Sequence, residues 1–217
     1  MFNRTKRIAS ILAIVVVVAS SASAASNTTI NGYKSYSNLQ NIKLSKDIVL
    51  HKGDVKAVFA GGNGEDIQKQ LNDIGIFNSE VYQILYKNQN VVKYGAVADV
   101  HLGYVGLSTL GIERDAHSGL QKKSPSLLPA LADLVNSSGN NQMTPYTVVK
   151  PIVVQPNGTY AGVLSTENIV ASVPYKEILH ITLYDNKYYG TAARVVVVNA
   201  ADDQLLWPVL EGLMKVK

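Results

Sequence analysis

Two hydrophobic periods run through this chain, and each predicts a different kind of element. Leu179, Ile181 and Leu183 alternate with His180 and Thr182, the two-residue period of a strand with one buried face. Asp185-Asn186-Lys187 turns the chain back into residues 188–198, which end in four consecutive valines. Such a run suits a central strand buried on both faces. Residues 148–154 and 159–164 flank Pro156-Asn157-Gly158, a hairpin signal because Asn-Gly accepts positive φ. Residues 48–51 and 55–60 read as short strands, and 169–173 as an edge strand. Across 96–105 the even positions are Ala96, Ala98, Val100, Leu102 and Tyr104, while the odd positions include Asp99, His101 and Gly103. A strand there places Asp99 and His101 on the more polar face.

The helical period appears elsewhere. Ile67, Leu71 and Ile74 lie at i, i+4 and i+7 behind Gly61-Gly62-Asn63-Gly64, with Glu65 and Asp66 in the first turn and Gly75 as the stop. A second helix is predicted over 79–87, with Val81, Ile84 and Leu85 inward. Leu127, Leu131 and Leu134 stripe a third, capped by Ser126, tolerating Pro129 in its first turn and ended by the polar residues 136–141. From Ala201 onward Leu206, Val209, Leu210 and Leu213 form an inward face, and Pro208 should kink the helix or split it in two.

These elements predict an α+β fold: a single domain over 48–217, with an antiparallel or mixed sheet and about four helices packed on it. Residues 25–47 form a polar N-terminal segment ahead of it. Residues 1–24 have the three parts of a secretory signal. Arg4, Lys6 and Arg7 form the basic region, residues 8–19 an uncharged apolar run, and Ala22-Ser23-Ala24 the small residues of a cleavage site. The expectation is a cleaved signal and a secreted or envelope-associated domain; an uncleaved N-terminal anchor is the alternative. The mature chain has no second apolar run long enough to span a membrane.

Charge then loses its apparent meaning. The net charge of +4 falls to near +1 once the three basic residues of the signal are removed. No basic run remains that would draw nucleic acid. The chain has no cysteine, which excludes a thiol nucleophile, a thiolate metal site and a lipidated cysteine.

Candidate chemistry centres on residues 91–119. Asp99-Val100-His101-Leu102-Gly103 and Asp115-Ala116-His117-Ser118-Gly119 share a D-x-H-x-G pattern and hold two of the four histidines. A carboxylate and an imidazole two residues apart on one strand face can bind one ion. Asp99, His101, Asp115 and His117 together could supply four ligands to a divalent transition metal such as zinc. The bland alternative is that these groups are solvated. The glycine loop at 61–64 resembles a phosphate cradle only loosely, since it lacks the lysine of a P-loop and two acids follow it. Gly106-Leu107-Ser108-Thr109-Leu110-Gly111 misses the nucleophile-elbow spacing by one residue.

Tyrosine is the conspicuous aromatic, twelve residues against three phenylalanines and one tryptophan. Its broad apolar ring and hydroxyl suit recognition, and Tyr94 and Tyr104 near the central strand are the candidate ligand-binding residues. Three N-x-S/T sequons remain in the mature chain, at Asn27, Asn136 and Asn157. The sequence therefore points first to an exported, non-catalytic binding domain without a cofactor, whose partner is an unknown small molecule or envelope component. A metal-dependent hydrolase using the paired Asp-x-His ligands is the alternative, and a structural envelope component a second.

Overall fold

A computed structural model describes residues 42–52, 76–102, 127–139, 146–170, 173–186 and 190–216. Seven strands form one sheet: β1 (Ile48–Lys52), β2 (Ile76–Asn88), β3 (Val91–Leu102), β4 (Tyr146–Val154), β5 (Tyr160–Val170), β6 (Val173–Asn186) and β7 (Gly190–Asn199). Their order is β1-β2-β3-β7-β6-β5-β4. Every neighbouring pair is antiparallel. The sheet is thus two meanders, β1–β3 and β4–β7, joined edge to edge where β3 meets β7. Helix α1 (Leu128–Ser138) precedes β4, and α2 (Asp203–Leu210) follows β7 and passes into a 3-10 turn at Glu211–Met214.

This corrects the α+β expectation. Among the described residues the protein is a single antiparallel sheet with two short helices, not a sheet carrying about four. The predicted helix over 79–87 is the middle of β2. Val81, Ile84 and Leu85 have helical spacing, but Tyr82, Ile84 and Tyr86 alternate and are all buried. The two-residue period wins because those three side chains share one sheet face with Val97 of β3, and that face is covered. The predicted edge strand at 169–173 is instead the junction of β5 and β6. The predicted strand at 55–60, the glycine loop and the helix behind it lie outside the described residues.

Each helix covers one face, and only half of it. On the first face, Ala98 and Val100 of β3, Ala193, Val195 and Val197 of β7 and Leu179, Ile181 and Leu183 of β6 pack with Leu128, Leu131, Ala132 and Val135 of α1. On the second, Ile48, Tyr82, Ile84, Tyr86, Val97, Val196 and Val198 pack with Leu206, Leu210 and Leu213. The run Val195–Val198 is buried throughout because it feeds both cores alternately. α1 lies over the β4–β6 half and α2 over the β1–β7 half. Two diagonal quadrants of the sheet therefore carry no helix among the described residues. No helix there is long and apolar enough to cross a membrane.

β4 ends the sheet and is shaped to stay an edge. It pairs with β5 through two register shifts, between Val148 and Lys150 and between Lys150 and Val153. Ile152 arches over Gly162, where an added Cβ would sit 2.8 Å from the Ile152 backbone. The Ile152 peptide groups lost to the ladder are recovered by one side chain of α1. Asn136 Oδ1 accepts from the Ile152 N–H at 2.8 Å, and Asn136 Nδ2 donates to the Ile152 carbonyl at 2.9 Å. Bulges and Pro151 discourage further strand pairing.

The two hairpins whose turns lie wholly among the described residues differ in turn chemistry. Pro156-Asn157-Gly158 is a three-residue loop in which only Gly158 takes positive φ (81°), closed by Gly158 N–H to the Gln155 carbonyl at 2.9 Å. The β2–β3 turn has no glycine. Asn88 pairs with Val91, so Gln89-Asn90 makes the turn, and Gln89 sits at φ 51°. A side chain there costs about 1–2 kcal/mol relative to right-handed backbone. Gln89→Gly should therefore raise the unfolding free energy by about 0.5–1 kcal/mol after the extra entropy of an unfolded glycine is subtracted. Urea denaturation checks this; a loss of stability would show that the turn is unstrained.

Candidate functional site

The register of β3 on β7 sets Asp99 directly opposite Arg194. Both are buried, at 0% and 1% exposure. Arg194 Nη2 donates to Asp99 Oδ2 at 2.6 Å. The Tyr184 hydroxyl, from β6, donates to Asp99 Oδ1 at 2.6 Å. Arg194 also lies 5.9 Å from the Tyr184 ring centroid. Its Nη1 reaches past the sheet to the carbonyls of Leu213 and Lys215, both at 3.0 Å. Burial, and then the adjacent Asp99 charge, push the Tyr184 hydroxyl far above its ordinary pKa. It remains a hydrogen-bond donor across the working pH range.

Of the four expected metal ligands, only Asp99 has a described side chain. Both of its oxygens are engaged, so an ion there would have to displace a buried guanidinium. His101 follows on β3, its backbone paired with Phe77 and Ala192. Asp115 and His117 lie outside the described residues, as does Tyr104. Among the described residues no three His, Asp or Glu side chains group as metal ligands. Tyr94 is 59% exposed. It lies on the open quadrant of the first face, together with exposed Val49 and Val92.

The other open quadrant holds a groove of about 610 Å³. Its floor is the second face of β4, β5 and β6, including Val153, Ala161, Val163 and Thr182. Its wall is the C-terminal segment, through Trp207, Glu211, Met214 and Lys215. Alternation builds the floor: Lys150 and Val153 face Val163 and Ala161 across the edge ladder, and Val163 faces His180. The wall stands where it does because Leu206, Leu210 and Leu213 are sunk in the core and Arg194 holds the last carbonyls.

His180 lies at the junction of floor and wall. Its Nε2 is 2.6 Å from Asp203 Oδ1, and its ring stacks on Trp207 with centroids 3.4 Å apart and planes at 6°. Burial lowers its pKa below 6.5; the Asp203 carboxylate opposes this, and the Lys150 charge adds to it. The neutral ring therefore carries its proton on Nε2 toward Asp203, leaving Nδ1 as an acceptor. No serine or threonine hydroxyl bonds to His180 among the described residues. The alternation of 178–184 places His180 correctly on its own face. What the sequence hides is the partner, since Asp203 and Trp207 approach only when α2 folds back over the sheet.

The pH consequence has a definite sign. The unfolded imidazole, with a pKa near 6.5, binds a proton more readily than the folded one. The stability tied to neutral His180 is complete above that value and is lost as pH falls through it toward the folded pKa. The melting temperature should drop between pH 7.5 and 5.5, with a slope of at most about 1.4 kcal/mol per pH unit from this one proton. His180→Phe, which keeps the stack on Trp207, should flatten the drop. Equal slopes in the two proteins would contradict a neutral buried ring.

No protein-family model matches the chain, and neither a curated protein nor a solved structure matches it.

Proposed function

We propose that the mature domain is an exported, non-catalytic binding module that takes a small amphipathic ligand in the groove beside α2. One observation carries this reading. Among the described residues the second face of the sheet is covered over half its width, and the other half is a recess with an apolar floor, an aromatic wall and a polar rim. Such recesses of about 300–1,000 Å³ are where small molecules bind. The apolar part of the ligand would lie on Val153, Ala161 and Val163 against Met214. Its polar groups would meet Lys150 and Lys215, whose charges Glu211 partly balances. The His180–Asp203 pair serves as fixed support for Trp207 rather than as an acid or base. The site is preorganised, because the wall is held by core leucines and by Arg194, not by the ligand.

Trp207 is the single tryptophan of the chain, so its emission reports on this groove alone. Titration with 8-anilinonaphthalene-1-sulfonate, an apolar ring system with one anionic group, should quench that emission saturably at one equivalent. Ala161→Glu should weaken binding at least tenfold with the circular dichroism unchanged. Tyr94→Ser, on the opposite face, should leave it unaltered. The groove reading fails if quenching does not saturate, if Ala161→Glu binds normally, or if Tyr94→Ser abolishes binding. Elemental analysis of protein purified without chelator should give no stoichiometric transition metal. A stoichiometric metal that is lost on His101→Ala would replace this reading with the metal-dependent one.

A further inference from the structure

The three sequons of the mature chain have the same local pattern, and the structure separates two of them. Asn136 lies on α1, and both ends of its amide are committed to the backbone of Ile152. A sugar on Nδ2 would replace one of its two hydrogens with a bulky ring between helix and strand. It would break the contact that satisfies the arched edge of β4. The third residue of that sequon, Ser138, is itself buried. Asn136 is therefore closed to modification in the folded chain.

Asn157 is built the other way. It sits at the tip of the β4–β5 hairpin, exposed with its neighbours Pro156 and Gly158. Its Oδ1 accepts from both the Thr159 N–H at 3.1 Å and the Thr159 hydroxyl at 2.8 Å. The amide is thus fixed by its oxygen, and Nδ2 makes no hydrogen bond among the described residues. A Cβ added at Gly158 would meet nothing within 4 Å, so the space around the tip is open. The Gly158 N–H is bonded to Gln155, which hinders the competing attack of that nitrogen on the Asn157 side-chain carbonyl.

We infer that Asn157 is an N-glycan acceptor of the exported chain and that Asn136 is not. The donor class is a sugar carried through C1 on a lipid phosphate or pyrophosphate. Nδ2 bonds to C1 as the C1–O bond to phosphate breaks. The phosphate leaves with the bonding electrons, and one amide proton passes to the transferase base and then to the released phosphate. No oxidant or metal redox step is needed. The inference rests on the export signal and the hairpin tip, not on the groove, although Asn157 borders the groove and a glycan there would overhang its rim.

The test is glycopeptide mass spectrometry on the full chain purified from the organism that makes it. Chymotrypsin suits this because Tyr146 separates the two sequons. The Asn157 peptide should carry a saccharide mass increment, and the Asn136 peptide should not. Thr159→Val in the same host should abolish the increment while the melting temperature stays within a few degrees, since Thr159 lies in the exposed turn. An unmodified Asn157 peptide, one shifted only by the single mass unit of deamidation, a glycan on Asn136, or a glycan that survives Thr159→Val would each overturn the inference.

Discussion

One buried ion pair joins the two halves of this protein. The β1–β3 and β4–β7 meanders pair edge to edge along β3 and β7, and Asp99 and Arg194 face each other across that seam. Isolated, either charge would be expensive to bury. Together, and with Tyr184 donating to the second carboxylate oxygen, they form a cluster in which both carboxylate oxygens and both terminal nitrogens of Arg194 are hydrogen-bonded. The pair is a poor source of net stability compared with the apolar alternative. What it supplies is specificity. A one-residue slip of β3 on β7 would send Asp99 to the α1 face among Leu179, Ile181 and Leu183 and strand both charges.

The same arginine sets the position of the groove wall. Its second terminal nitrogen holds the carbonyls of Leu213 and Lys215, so the segment after Pro208 ends against the seam instead of fraying. Pro208 cannot donate to the helix ladder, and α2 gives way to a 3-10 turn at Glu211. The apolar contribution is larger than the polar one: Leu206, Leu210 and Leu213 are fully buried, each worth about 1.5–3 kcal/mol. Leucines attach the segment, and Arg194 fixes where it stops. Trp207, Met214 and Lys215 take their places on the groove from that stop.

Much of this order is legible in the sequence, and the failures have a common cause. The alternation at 178–184, the valine run at 195–198, the hairpin about Pro156-Asn157-Gly158 and the leucine stripe of α1 are local signals, and the fold keeps all of them. β2 was obscured because its apolar residues fit both periods. Tyr82, Ile84 and Tyr86 carry the strand signal, but tyrosine counts weakly as a buried residue until a covering helix is known. The turn that should have marked the hairpin has Gln89 where glycine or asparagine would be expected. Asp99 shows the second kind of failure. Alternation does set it opposite Ala98 and Val100, but that face is buried with Val97 rather than polar. Its partner Arg194 is 95 residues away, and nothing near either residue announces the pairing. The groove is hidden for the same reason, since its wall and floor come from distant segments.

The central claim, that the seam is specified by a mutually compensating buried pair, is tested most directly by chemical denaturation of Asp99→Leu beside Asp99→Leu/Arg194→Met. Removing the carboxylate alone leaves Arg194 buried and uncompensated, and should cost about 3–5 kcal/mol. Removing both charges should restore at least half of that loss, despite the bonds to Leu213 and Lys215 that go with the arginine. A single variant within about 1 kcal/mol of the parent, or a double variant no more stable than the single, would contradict the account.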